Sequence, residues 1–427
     1  MVRTISCETD REQEHRSSVN SRYKLLVLTP RYPFPPIGGD RLRIYHVCRY
    51  LSSRFELSLL SMCDSPEEMQ APSRPDGIFC RVERVFHSHA RKLLGCLQVL
   101  PSRTPFQVGY YRNPEFARRL EVLLPQHDGV LAHLIRTGDY LTGYSIPKVL
   151  EMTDAISLSY ARTRSLGRIN PLRSLAYRWE GSRLKPYEKG LIRQFDLSVL
   201  VSPVDRDFLQ SDTTPKTLVC TNGVDTERLA FDHSPDGKTI VFIGNNTAFH
   251  NADAVRWFAD AILPRIRQCH PEAVFRVIGR IRKKLADRLA RIQGVVVMGE
   301  SQDIPAAARG AVVGVCPVRF GAGVQNKILE YMSLGVPAVT SPVGLEGLDA
   351  VVDQHLLLAC TPDEWVSQVC RILSDAALAR VLAERARARV EEQYSWHSIL
   401  EPLAPSILAL IETRGGGKIS AADPQAR

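Results

Sequence analysis

No run of about eighteen uninterrupted apolar residues occurs in the 427-residue chain, so the sequence offers no segment for a membrane-spanning helix. The first residues, MVRTISCETDREQEHRSS, lack the apolar core of a secretory leader, and the chain reads as cytoplasmic. Its ten cysteines include no CxxC pair and no histidine at zinc-ligand spacing. Most lie within apolar runs, as buried thiols do, so neither disulfides nor a structural metal is expected. The one compact basic run, IGRIRKK (278–284), has no interleaved aromatic residues, which argues against nucleic acid as a partner. What is in excess is positive charge. Lys and Arg number 55 against 46 Asp and Glu, a net charge of +9. That surplus suits a phosphorylated substrate or an anionic membrane surface, and it equally suits a merely soluble basic surface.

The length favours two domains of about 150 to 200 residues each. Polar stretches at 1–20 and 414–427 read as disordered tails. Between them, short apolar runs alternate with helical stretches. KLLVLT (24–29), FELSLLSM (55–62), GVLAHLI (129–135), KVLEMTD (148–154) and LSVLVSP (197–203) form a first set. TIVFIG (239–244), FRVIGR (275–280), VVVMG (295–299), VVGVCP (312–317) and AVTS (338–341) form a second. Continuous apolar strands alternating with helices imply parallel sheets buried on both faces. The fold class is therefore α/β, with two doubly wound Rossmann-like domains facing a cleft. The expected boundaries are 21–222 and 223–394, with a final helix, 395–413, packing back on the first domain.

Several residue groups have the makings of a site. In GAGVQNKILEYMSLGVP, Gly321 and Gly323 keep the backbone bare just ahead of a helix starting near Asn326. A helix N-terminus with free amides is a ready anion site. Lys327 and Glu330 share one face of that helix. On these residues alone, a surface Lys–Glu pair after a Gly-rich turn is the better reading, because a lone GxG is a weak signal. His133 ends the strand GVLAHLI facing the expected cleft, with Arg136 just beyond it as an alternative cleft residue. An ordinary strand-end histidine explains the first equally well. Asp154 ends KVLEMT at the cleft edge or simply caps the next helix. Gly38 and Gly39, in PPIGGDRLR, would let a loop approach a ligand closely, or merely turn strand into helix. Asp205-Arg206-Asp207 spells a metal-binding DxD but follows VLVSPV at a helix start, where it reads as capping and surface charge.

KILEYMSLGVPAVTSPVGLEGL resembles the donor-site segment of glycosyltransferase family 4 (group 1). The resemblance continues through PPIGGDRLR (35–43), NGVD (222–225), FIGNNTAFHNADAVRWF (242–258) and the terminal YSW. LEMTDAISLSY, YEKGLIRQFD and NADAVRWF look most like sugar transferases of bacterial exopolysaccharide and PEP-CTERM sorting systems. The resemblance implies a GT-B fold and a retaining, metal-independent hexosyltransferase. It uses a UDP- or GDP-sugar as co-substrate, with no cofactor. Glu330 corresponds to the second glutamate of the family's E-x7-E motif and is implied to bind the ribose. The first falls on Ala322, so donor-sugar recognition must come from elsewhere. The Arg and Lys expected after FIG are absent, leaving Gly244 and Asn245. Lys327, with the Gly321–Gly323 turn and Asn326, is inferred to hold the pyrophosphate instead. Gly279 is implied to lie by the base, Gly38 and Gly39 by the donor phosphates, and His133 by the donor sugar or reacting hydroxyl.

Basic and apolar residues mix in 90–112 and 161–189 of the first domain. Such a face suits an anionic leaflet and a glycan or polyprenyl-linked acceptor, or is a solvated helix face. Two rival functions stay open: a non-catalytic sugar-nucleotide-binding scaffold, motivated by Ala322, and a sugar-nucleotide 2-epimerase, which would need a dense acid/base set in the cleft.

Overall fold

The computed structural model describes residues 22–36, 38–72, 76–165, 171–209 and 216–415. The tail expected at 1–20 lies outside these, as does all of the tail expected at 414–427 except its first two residues, which end the last helix. Among the described residues, thirteen strands make two wholly parallel sheets. The first runs β3-β2-β1-β4-β5-β6-β7. Its strands are β1 (Lys24–Thr29), β2 (Glu56–Cys63), β3 (Arg81–Phe86), β4 (Gly129–His133), β5 (Lys148–Thr153), β6 (Leu197–Leu200) and β7 (Thr217–Val219). The second runs β10-β9-β8-β11-β12-β13. Its strands are β8 (Thr239–Ile243), β9 (Val274–Ile278), β10 (Val295–Gly299), β11 (Ala311–Cys316), β12 (Ala338–Thr340) and β13 (Leu357–Leu358).

The apolar runs read from the sequence are these strands, and they are buried because helices cover both faces of each sheet. Three strands are not among those runs, one of them β7, whose three residues are only half-buried. β3 is a sheet edge with the polar sequence RVERVF, and β13 is two residues long. The helical stretch after β8 begins at Phe249 and passes through a π-helical turn at Phe258–Ile262. Pro264 follows at once; it lacks an N–H and crowds the preceding turn.

Strand order reverses between β1 and β4 and again between β8 and β11, so crevices open beyond the C-terminal ends of those strands. The two crevices face each other. The chain crosses between the domains twice, at 220–225 and at 394–396, and the crossings lie together: Val224 N–H donates to Tyr394 O at 2.8 Å. Trp396 closes over Gly223, where a Cβ would come within 2.8 Å of the Trp396 backbone. Its ring stacks on His46 at 4.4 Å. The last helix, Leu403–Gly415, buries Leu403, Ile407 and Ile411 against Leu25 and Leu131 of the first domain.

Candidate active site

The first-domain wall is organised by a carboxylate that no sequence motif marks. Glu151, in the middle of β5, is fully buried and receives Arg43 Nε at 2.6 Å and His133 Nδ1 at 2.5 Å. Burial alone would raise its carboxyl; Arg43 and His133 outweigh it and hold the group down at about 2. Arg43 also donates to Cys220 O and Thr221 O, and its Nη1 reaches Asn222 Oδ1 at 3.0 Å. Asn222 Nδ2 in turn donates to Asn326 Oδ1 at 2.7 Å. A continuous chain of hydrogen bonds thus runs from the second domain's Asn326 through the junction to His133. The sign of Glu151 in the sequence was a charge placed inside the apolar run KVLEMT; Arg43, at the end of PPIGGDRLR, carried none of its own.

His133 is buried, and with Nδ1 turned to Glu151 its Nε2 is left without a partner among the described residues. Leu134, the residue after β4, and Thr153, the last residue of β5, have left-handed φ values of 67° and 66°. Such values are costly for branched side chains, and Glu151 helps hold the second by accepting from Thr153 N–H at 3.2 Å. Arg136 lies over the Tyr111 ring at 5.1 Å, its buried Nε unpartnered. Asp40, in the first turn of the helix Gly39–Leu51, would be raised by burial, but Arg31, His133 and Arg136 bring it below the usual carboxylate range. Asp154 moves the other way. Burial, reinforced by Asp205, pushes it up to about 7. Of the two loop glycines, Gly38 is conformationally required, with φ 95°, whereas a Cβ on Gly39 would meet open space.

The second-domain wall gathers at the ends of β8, β9 and β11. A Cβ on Gly279, which has φ 119°, would lie 2.0 Å from Gly244 O. Only a bare backbone lets these two loops touch. Asn245 is exposed and uses its side chain to accept from Thr247 N–H, while Asn246 and Asn251 each bury an unpartnered amide oxygen nearby. The helix Asn326–Leu334 starts in the same crevice. Lys327 is buried, not a surface residue: its Nζ donates to Gln325 Oε1 at 2.8 Å and lies 5.3 Å from the Phe242 ring. Its Cε is within 3.4 Å of the position a Cβ would take on Gly244. Lys327 has no carboxylate partner among the described residues, and no ion pair joins it to Glu330. Arg319, by contrast, is committed to Asp253 at 2.6 Å. His250 is drawn down to about 4 by burial and by Lys327, so it stays neutral beside that ammonium at pH 7. Burial raises the Glu330 carboxyl, against Lys327 and Arg228. Glu330 lines a cavity at the domain junction with Asn326, Arg228, His46 and Trp396.

The glycine turn joins the two walls. Gly321 O accepts from Arg162 Nη1 at 2.9 Å, and Arg162 pairs with Glu346 at 2.7 Å. Ala322 packs on the first domain's apolar cluster. Gly323 has φ 70°, and a Cβ there would meet Asp154 Cβ at 3.1 Å. Asp205 accepts from Ala155 N–H and Ser202 Oγ, while Asp207 pairs with Arg206, so the DxD residues serve local structure. Among the described residues, no group of three or more His, Cys, Asp or Glu could hold a metal ion.

Two facing parallel-sheet Rossmann-like domains with this strand order make the fold GT-B. Residues 237–375 match the family model "Glycosyl transferases group 1", so the second domain carries a glycosyltransferase domain of that type. The glycogen synthases of two Mycobacterium tuberculosis strains are each 28% identical over 164 residues, 35% of this chain and 38% of theirs. The match thus spans well under half of those relatives. Among solved structures, sucrose-phosphate synthase from Thermosynechococcus elongatus superposes with a TM-score of 0.72 at 15% identity, covering 92% of this chain and all of that one. HepE of Anabaena, crystallised with UDP, gives 0.63 at 14% identity over 90% of this chain and all of its own. Trehalose-6-phosphate synthase of Burkholderia multivorans gives 0.64 at 15% identity, covering 92% and 100%.

Proposed function

We propose that this chain transfers a hexose from a UDP- or GDP-sugar to a glycan or polyprenyl-linked acceptor. It does so with retention of configuration, without a bound metal or other cofactor, at the cytoplasmic side of the membrane. The place of the reaction is exopolysaccharide or envelope polysaccharide assembly, in the manner of the PEP-CTERM-associated sugar transferases. The observation that carries the reading is Lys327. A buried ammonium whose hydrogen-bond partner among the described residues is an amide, at the start of a helix and against Gly244, is prepared for an anion. A nucleoside diphosphate leaving group develops negative charge, and an ammonium and helix amides held in a dry crevice stabilise it without reorganising. HepE, of the same fold, is crystallised in complex with UDP, which supports a nucleotide in this crevice.

In this reading Glu330, in the junction cavity, accepts from the ribose hydroxyls. Gly279 borders the base, and Gly244, Asn245, Gly321 and Gly323 border the phosphates with Gly38 and Gly39 opposite. His133 offers Nε2 to the donor sugar or the reacting hydroxyl, and Arg136 and Asp154 flank the acceptor. Lys327→Ala is expected to raise the donor KM or cut turnover by roughly 100-fold or more. Wild-type kinetics in that variant would remove the assignment. Chelation with EDTA is expected to leave the initial rate unchanged.

Ala322 motivates a second reading. It buries its methyl against the first domain where the family motif has a glutamate, and a chain built that way could bind a sugar nucleotide without turning it over. A donor panel separates the two: release of UDP or GDP supports transfer, and nucleotide binding without release supports the scaffold. An epimerase would instead interconvert the donor sugar with no acceptor present.

A further inference from the structure

The first domain carries a helix that is inside out. In His89–Gln98 the face turned to the protein holds Lys92, whose Nζ pairs with Asp64 at 2.8 Å, and Gly95. The outward face holds Leu93, Leu94 and Leu97, which are 65%, 55% and 52% exposed. The helix cannot roll to hide them, because a Cβ on Gly95 would come 2.1 Å from Gly109 O and the two backbones are in contact. The apolar face continues through Leu100 to Leu175 and Trp179 of the helix Pro171–Ile192; Leu175 is 63% exposed. Arg183 joins the two parts, lying 3.9 Å from the Trp179 ring centroid while donating to Leu100 O at 3.1 Å. Isolated exposed leucines are ordinary, but a contiguous set held outward by a backbone contact marks a docking face.

Within the two segments that form this face the charge is of one sign, and the carboxylates that reach the helix from outside them, Asp64 at Lys92 and Glu115 near Arg91, are paired with basic residues. Residues 89–112 and 161–179 contain no Asp or Glu, and Arg91, Arg103 and Arg178 are exposed around the leucines. The first carboxylate after them, Glu180, is turned inward to cap Phe106 and Gln107. The face also adjoins the cleft. Phe106 packs on Trp179 at 4.7 Å, and in the same segment Tyr111 lies under Arg136.

We propose that Leu93, Leu94, Leu97, Leu100, Leu175 and Trp179 form a docking face for the surface of an anionic lipid bilayer. The leucines and tryptophan enter the headgroup–acyl boundary and the arginines meet lipid phosphates, so that the cleft opens beside the membrane. Apolar area alone would fit a second protein equally well; segments that carry arginines and no Asp or Glu of their own fit a surface of negative charge. The face goes beyond the sugar-transfer reading and does not depend on it.

The test uses the full chain and sedimentation with vesicles of phosphatidylcholine alone or mixed equally with phosphatidylglycerol. Binding is expected to the mixed vesicles at low salt and to weaken at high salt. The double variant Leu93→Glu, Leu97→Glu is expected to lose roughly 100-fold or more in partitioning, about tenfold for each leucine withdrawn from the interface. Val381→Glu, on an exposed site of the second domain, should bind as wild type. Unchanged thermal stability and unchanged donor hydrolysis show that the double variant is folded. No binding to the mixed vesicles, equal binding to both kinds, or binding that survives the double substitution overturns the proposal. So does a dimer in analytical ultracentrifugation that the same double variant dissolves, since the occupant is then a second copy. Vesicle binding without turnover of any donor leaves the docking face standing and removes sugar transfer instead.

Discussion

Glu151 has no contact with water, yet it is held ionised because Arg43 and His133 both bond to it. Removing one partner of such a pair leaves a buried charge uncompensated. Arg43→Met is therefore expected to destabilise the fold by about 3–5 kcal/mol in urea titration, far more than loss of an exposed pair. Asp154 shows the opposite sign. Its carboxyl is raised to about 7, so across the range from its ordinary value to about 7 the folded chain holds a proton that the unfolded chain has released. Stability from this group is therefore lost as pH rises through that window. Asp154→Asn is expected to melt at an increasingly higher temperature than wild type as pH goes from about 4 to about 7. A constant difference in thermal scans would refute the shift. Both carboxylates stand in one short segment, Glu151 in β5 and Asp154 just past it, and KVLEMTD could not reveal which is charged, because the partners arrive from residues 43, 133 and 205.

At the scale of elements, the helix Asn326–Leu334 is seated by Tyr331, whose buried hydroxyl accepts from Ile243 N–H at 2.9 Å and donates toward Val315 O. Gly314 of β11 makes room for the ring, since a Cβ there would lie 2.5 Å from it. Lys327 reaches the β8 loop because Tyr331, one turn later, fixes the helix against β8 and β11. The contact of the β8 and β9 loops rests on Gly279 in the same way. Gly279→Ala is expected to cost roughly 2 kcal/mol or more and to weaken nucleotide binding, because it meets both a left-handed φ and Gly244 O. Chemical denaturation and a nucleotide thermal shift would check both effects. Strands with unbroken apolar runs were legible from sequence because both their faces are buried. β3 was not, since as an edge strand it buries only Val85 fully. β13 was too short to carry any pattern.

At the scale of the whole molecule, the domains are joined by the double crossing at 220–225 and 394–396 and by the contact of the glycine turn with the first domain. Arg162 and Glu346 span that contact with side chains 24% and 30% exposed. A partly hydrated pair contributes about 1 kcal/mol or less, so Arg162→Ala should leave the melting temperature nearly unchanged. It also frees Gly321 O and removes a contact between the domains, and the expected effect is a larger radius of gyration by small-angle scattering.

The order of apolar runs was enough to determine two parallel α/β domains, and the spacing of Gly321, Gly323, Lys327 and Glu330 pointed to a turn before a helix. These are local properties, set by which residues must be buried and where a bare backbone is needed. Tertiary structure alone decided that Lys327 is buried and without a carboxylate, that Ala322 belongs to the contact between domains, and that a chain of hydrogen bonds ties Asn326 to His133. It also decided that the leucines at 93, 94 and 97 face outward, since helical period gives a face but not its direction. The reason is the same throughout. Burial and charge depend on groups distant in sequence, and no local pattern records which of them will meet.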